Sequence, residues 1–170
     1  MDTLSHGLWG ALAFGRANRR SFWLSFVFGI APDLLSFGIF TAARSLGLAP
    51  RMDWSNGPPD PLLIPEYVHT MYDFTHSLVI FSVVFAIVWV IRKRPFWEML
   101  AWPLHILVDI PTHSTRFFPT PFLWPIADVQ INGVPWSHPA IFIPNVSLLL
   151  VLYLWFFYFR KRRQRAGVIE

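Results

Sequence analysis

Apolar positions along this chain gather into three long runs and two shorter ones, separated by stretches rich in proline, glycine and charge. The long runs cover 21–43, 76–91 and 140–159, each near the length a helix needs to cross about 30 Å of hydrocarbon. The shorter runs, 3–17 and 96–110, are expected to be tilted, broken or buried behind the others, and the second contains Pro103. Two intervening segments, 44–75 (Pro50, Pro58, Pro59, Pro61, Pro65) and 111–139 (Pro111, Pro119, Pro121, Pro125, Pro135), read as ordered loops that cap the helices. The pattern predicts an all-α fold: a multi-span transmembrane helical bundle of about five helices, forming one integral membrane domain over residues 1–170.

Composition agrees with that pattern, since 54% of residues are hydrophobic and only 14% charged, far from the balance of a soluble domain. The formal charge of +4 sits in clusters beside apolar ends: Arg16, Arg19 and Arg20; Arg92, Lys93 and Arg94; and the run 160–165. Membrane orientation explains such clusters better than a polynucleotide does, so no nucleic-acid partner is expected. Placing all three in the cytoplasm puts the N-terminus outside, the C-terminus inside and both proline-rich loops outside. No Lys or Arg precedes Arg16, and no small-residue cleavage pattern follows a basic start, so the first helix is expected to stay rather than be removed as a signal peptide. Without cysteine, only His and carboxylates remain as strong metal ligands.

Against this background Asp33, His76, His105 and Asp109 stand out. An ionisable side chain near the bilayer centre costs roughly 2.5–3.5 kcal/mol unless it faces a partner or a wet cavity. The topology places Asp33 about 18 Å from the inner end of its helix, slightly outside the midplane. His105 and Asp109 fall on the outer half of theirs, His76 opens its helix at the outer surface, and His6 is near the outer end of the first. All lie at one depth. His105 and Asp109 are four residues apart, on one helical face, a spacing that lets an imidazole and a carboxylate grip one ion. Such a ligand set suits Zn²⁺ foremost, with Mn²⁺ or Fe²⁺ as alternatives.

Other polar residues have plainer expectations. Asp73 and Thr75 read as N-caps of the helix beginning at His76. Asp33 follows Pro32 and could instead answer backbone groups loosened by a proline kink. Pro111 biases Ile110 away from helical geometry and is expected to end the helix there, which leaves the part played by His113 open. His69 and His138 read as surface or interfacial, and tryptophans such as Trp9, Trp54, Trp124 and Trp155 as lipid-facing packing and interfacial belts. Arg116 could hold a phosphate bidentately, or equally a lipid headgroup or a loop carbonyl.

Taken in order, Leu4-Ser5-His6-Gly7, Ala31-Pro32-Asp33, Thr75-His76-Ser77 and Leu104-His105-Ile106-Leu107-Val108-Asp109 followed by Thr112 resemble the membrane-bound metal-dependent hydrolase family of YdjM type from bacterial inner membranes. That family is in turn similar to the zinc-dependent phospholipase C and single-strand nuclease group, helical enzymes that cleave phosphoesters with clustered zinc ions. The resemblance implies that Asp33, His76, His105 and Asp109 hold one metal, and that His6, with Asp109 as a bridge, helps hold a second. A further His with a Glu four residues on belongs to the soluble enzymes. Here Phe142 stands four residues after His138, so a third metal is not expected.

The combined expectation is a multi-pass inner-membrane hydrolase with a site open to the outer leaflet, one or two divalent ions, and a phosphoester of a lipid or lipid-linked molecule as substrate. The metal candidates are His6, Asp33, His76, His105, Asp109 and His113. Asp33 or Asp109 would orient or deprotonate water, with Arg116 on the phosphate. Two rivals remain: an ion or proton relay through the bundle, and a structural protein whose polar cluster glues helices together.

Overall fold

The computed structural model describes residues 1–49, 52, 53, 55 and 57–165, with 160–165 given by backbone alone. Pro50, Trp54 and the side chains of the 160–165 basic run therefore lie outside the described residues. Within them the chain is all helical, with no strand: α1 (Thr3–Phe14), α2 (Arg19–Ser45), α3 (Glu66–Thr75), α4 (Leu78–Arg92), α5 (Ala101–Thr112) and α6 (Pro139–Arg165). Short 3₁₀ turns at Pro61–Leu63 and Trp97–Leu100 precede α3 and α5.

By length and composition α2 and the Pro139–Phe159 part of α6 can cross a membrane, and α3 with α4 adds a third span if the bent pair acts as one. Along α4 and α6, Val83, Ile87, Val90, Leu150, Leu154 and Trp155 are exposed, a surface matched to lipid rather than water. At 12 residues each, α1 and α5 are about 18 Å long, little more than half the hydrocarbon thickness.

Helix starts follow local chemistry. The side chains of Asp2 and Asn18 accept hydrogen bonds from the Ser5 and Ser21 amides, both at 2.9 Å, opening α1 and α2. His138 Nδ1 accepts from the Ala140 amide at 3.2 Å at the start of α6. The expected start at His76, capped by Asp73 and Thr75, is corrected. Ser77 is the cap, its hydroxyl accepting from the Val79 and Ile80 amides at 3.1 and 3.2 Å. Asp73 and Thr75 instead close α3, a helix inside what reads as a loop. His76 is not at an outer surface. It is fully buried in the 61° bend between α3 and α4.

Backbone contact organises the centre. A Cβ on Gly29 of α2 would lie 2.6 Å from the His6 carbonyl oxygen of α1. One on Gly10 would lie 2.7 Å from the Ala101 Cβ of α5 and 2.8 Å from the Ser25 carbonyl oxygen of α2. Three helices thus meet here with nothing larger than the Ala101 methyl between them, as small residues allow where apolar attraction between helices is weak. Just after Pro32 and Asp33, α2 widens into a π-helical turn at Leu34–Gly38, a feature frequent at functional sites.

Above the helices, Phe40, Ile64, Val68, Tyr72 and Phe118 form a buried cluster that joins α2, α3 and the segment after α5. Val68, Tyr72 and Thr75 supply the buried face of α3 at helical spacing. Pro111 does not end α5, which runs to Thr112. There the amides of Gly133, Val134 and Trp136 donate to the carbonyl oxygens of His113, Pro111 and Thr112 at 2.8, 3.0 and 2.9 Å. This strap satisfies carbonyls that a helix end leaves open. α6 rests on α1 along one stripe: Trp9 Nε1–H donates to Asn145 Oδ1, Asn145 Nδ2–H to Ser5 Oγ and Tyr153 O–H to the Leu8 carbonyl, each at 2.8 Å.

The three-helix contact makes a prediction. Gly10→Val should lower the stability of the detergent-solubilised protein by about 1–3 kcal/mol, because the added carbons meet α2 backbone and the Ala101 methyl. Thermal unfolding followed by circular dichroism would read this as a lower Tm, and an unchanged Tm would contradict the packing.

Candidate metal centre

Three helices, α1, α2 and α5, and the α3–α4 bend deliver ionisable groups to one buried point. One nitrogen or oxygen each from Asp33, His76, His105 and Asp109 lies within 4.8 Å of the others. His105 Nε2 is 3.0 Å from Asp109 Oδ2 and 3.6 Å from Asp33 Oδ1. His76 Nε2 is 3.5 Å from Asp33 Oδ1, 3.7 Å from Asp109 Oδ2 and 3.1 Å from His105 Nε2.

Each ring also has a hydrogen-bonding partner on its far side. His105 Nδ1 is 2.7 Å from the Gly29 carbonyl oxygen, and His76 Nδ1 is 3.1 Å from the Tyr72 carbonyl oxygen. A carbonyl oxygen only accepts, so a proton on each Nδ1 suits these partners, with Thr75 Oγ1 also 3.0 Å from His76 Nδ1, and in that neutral tautomer each imidazole turns an Nε2 lone pair to the centre. Two lone pairs then face each other at 3.1 Å, beside two carboxylates. A cation resolves that conflict. In a tetrahedral site with bonds of about 2.0–2.1 Å, ligand atoms stand about 3.3–3.4 Å apart, and the measured separations scatter around that edge. Asp109 Oδ2, although 3.0 Å from His105 Nε2, is buried without a hydrogen-bond partner, as expected of an atom aimed at an ion. The cluster can bind a metal ion.

Neighbours hold these side chains. Asp33 Oδ2 accepts from Thr3 Oγ1 at 2.7 Å, and the Pro32 carbonyl accepts from Ser36 Oγ at 2.8 Å and Thr75 Oγ1 at 3.2 Å. Hydroxyls thus answer the backbone beside Pro32, and the Asp33 carboxylate is left for the centre. Tyr72 stacks on His76 with ring centroids 3.8 Å apart, and its hydroxyl donates to the Phe118 carbonyl at 3.0 Å. His6 stacks on His105 at 3.5 Å.

His6 and His113 reach the other oxygen of Asp109: His6 Nε2 is 2.9 Å and His113 Nδ1 is 3.3 Å from Oδ1. The Met1 ammonium also donates to Oδ1, and to Thr112 Oγ1 at 3.2 Å. His6 Nε2 is buried with no hydrogen bond of suitable geometry. His113 reaches Asp109 because α5 continues past Pro111, against the sequence expectation.

At Asp33 the centre meets a cavity of about 740 Å³, lined also by the polar His113 and Arg116 and by the apolar Phe37, Phe117 and Trp136. Asp33 lines it with 17% of its side chain exposed, whereas Asp109 is fully buried beneath. Arg116 is exposed on the wall and does not touch the cluster. His138 is at the α6 cap, away from the centre. His69 is half-buried, stacked on Phe118 at 4.5 Å with Nε2 3.1 Å from the Pro61 carbonyl oxygen, and so is more than a surface residue. Thr3, Gly29 and Tyr72 are positioning groups that the sequence reading missed, and Thr75, read there as an N-cap, instead bonds the Pro32 carbonyl. Only Gly29, one turn before Asp33, carried a local signal there.

Comparison with protein-family models, with curated proteins and with solved structures returns no match.

If the cluster holds an ion, a divalent metal should stabilise the folded state. Adding Zn²⁺ to chelator-treated protein at about a hundred times its Kd should raise stability by about 2.7 kcal/mol. The effect, read as a Tm increase, should vanish in His105→Ala.

Proposed function

We infer that this protein is a membrane-embedded, metal-dependent hydrolase that cleaves a phosphoester of a lipid or lipid-linked molecule. The observation that carries this is the Asp33, His76, His105 and Asp109 cluster, which meets through Asp33 a cavity lined also by Arg116 and by aromatic side chains. A phosphate has cationic partners there, and an alkyl chain has Phe37, Phe117 and Trp136.

The two imidazoles and two carboxylates favour Zn²⁺, with Mn²⁺ or Fe²⁺ as weaker fits. His6 and His113, with Asp109 as a bridge, are the residues for a second ion. A bound ion would lower the pKa of water and neutralise phosphoryl charge. The remaining chemistry belongs to side chains. Water attacks phosphorus, its proton passes to Asp33, the carboxylate that reaches the cavity, and the bond from phosphorus to the leaving oxygen breaks. The leaving oxygen keeps the electron pair and takes a proton back from Asp33. Arg116 holds a non-bridging phosphate oxygen.

The setting is a bacterial inner membrane. The exposed Arg16, Arg19 and Arg20 at the α1–α2 turn, and Arg92, Lys93 and Arg94 at the end of α4, favour a cytoplasmic position. The C-terminus is then cytoplasmic and the N-terminus outside, with five crossing segments: α1, α2, the α3–α4 pair, α5 with its preceding turn, and α6. In that orientation the cavity faces the outer leaflet.

Metal content and turnover test this together. In tag-free protein, His105→Ala and Asp33→Ala should lose both bound metal and hydrolysis of phospholipid substrates. Arg116→Ala should keep its metal and raise KM about ten-fold or more, as expected for losing a charge-assisted hydrogen bond. Full metal retention in His105→Ala, by elemental analysis, would refute the assignment.

A further inference from the structure

A second cavity, of about 630 Å³, adjoins the first and shares Tyr72, Arg116 and Phe118 with it. Its own lining is different in kind. His69, Asp73, Thr115, Asp128 and Gln130 bring polar groups, and Trp124 brings an aromatic face. Most of these polar groups keep capacity to spare. Asp73 makes no hydrogen bond among the described residues, and Arg116 makes no ion pair there. Gln130 Nε2–H donates to Asp128 Oδ1 at 3.2 Å, which leaves the Gln130 carbonyl oxygen and the second Asp128 oxygen open. Thr115 spends its proton on Asn132 Oδ1 at 3.2 Å and still has lone pairs.

We propose that this second cavity is a subsite for a polyhydroxylated, sugar-type headgroup, placed so that a phosphate bound over the metal cluster and Arg116 carries its glycosyl or polyol part past Phe118 onto Trp124, Asp73 and Asp128. The inference rests on the phosphoester reading above and narrows its substrate. Charge selects the class. Arg116 opposes a cationic headgroup in the same space, and Asp73 with Asp128 opposes a second phosphate. A neutral group rich in hydroxyls suits both signs, because each hydroxyl donates to a carboxylate and accepts from a guanidinium or amide. The Trp124 face offers an apolar platform for the carbon side of a sugar ring. The cavity is also large enough for a hexose.

The test is calorimetric binding to the full-length, zinc-loaded protein in detergent, with three probes: inorganic phosphate, glucose 1-phosphate and phosphoethanolamine. Wild type should bind glucose 1-phosphate about ten-fold tighter than inorganic phosphate, the worth of one or two added hydrogen bonds. Asp128→Asn and Gln130→Ala, both exposed and outside the metal cluster, should remove most of that preference and leave phosphate binding unchanged. If wild type binds phosphate but glucose 1-phosphate no better, or prefers phosphoethanolamine, the sugar subsite is wrong and the phosphoester reading survives. If it binds none of the three, both fall. A preference that persists undiminished in both variants would also overturn the subsite.

Discussion

Hydrogen bonds from His76 and His105 to the carbonyl oxygens of Tyr72 and Gly29 leave both imidazoles no choice about which nitrogen points inward. Once those rings are fixed, two lone pairs and two carboxylates share a buried volume that meets the cavity only at Asp33. Groups of that kind are expensive to bury, by several kcal/mol each, unless an opposite charge accompanies them. Much of the surrounding architecture can be understood as holding that arrangement rigid. Thr3 restrains Asp33, Tyr72 stacks on His76, and His6 stacks on His105. The donor atoms of the cluster are thereby held in place, and such organisation of surrounding groups is what tunes a metal site.

The glycine contacts serve the same end at longer range. Because α1, α2 and α5 meet at Gly10 and Gly29 with nothing larger than the Ala101 methyl between them, candidate ligands from three helices converge without long side chains to span gaps. The Gly29 carbonyl that bonds His105 belongs to the residue whose missing Cβ admits α1. One position therefore sets both helix separation and ring orientation. α6, joined to α1 by three hydrogen bonds, braces the helix that carries His6.

How much of this could be read in the sequence depended on how local the cause was. The run 21–43 corresponds to α2 because twenty-odd apolar residues have few other fates, and the His105–Asp109 spacing places both on one face by geometry alone. The metal candidates Asp33, His76, His105 and Asp109 meet in space, while their chemical roles stay with the proposal. α3 was hidden because prolines before Glu66 masked a short amphipathic period, and its buried face makes sense only against Phe40 and Phe118. That hidden helix also moved His76 from a helix start to a bend. Pro111 misled for a related reason: its local bias against helix at Ile110 is real, but the strap supplies donors that hold the end of α5 together. Thr3 and Asn145 were unreadable, since their partners lie far along the chain.

The strap has one more consequence. Trp136 lines the cavity, and its backbone amide is also one of the three donors that finish the helix bearing His105 and Asp109. That side of the cavity cannot swing outward without unfastening the end of α5 and loosening Asp109 from its neighbours. The cavity thus has one part of its wall that acts as a fixed jaw, and any widening to admit a bulky molecule has to come from the rest of the lining, such as Phe37 and Pro58, which belong to other parts of the chain.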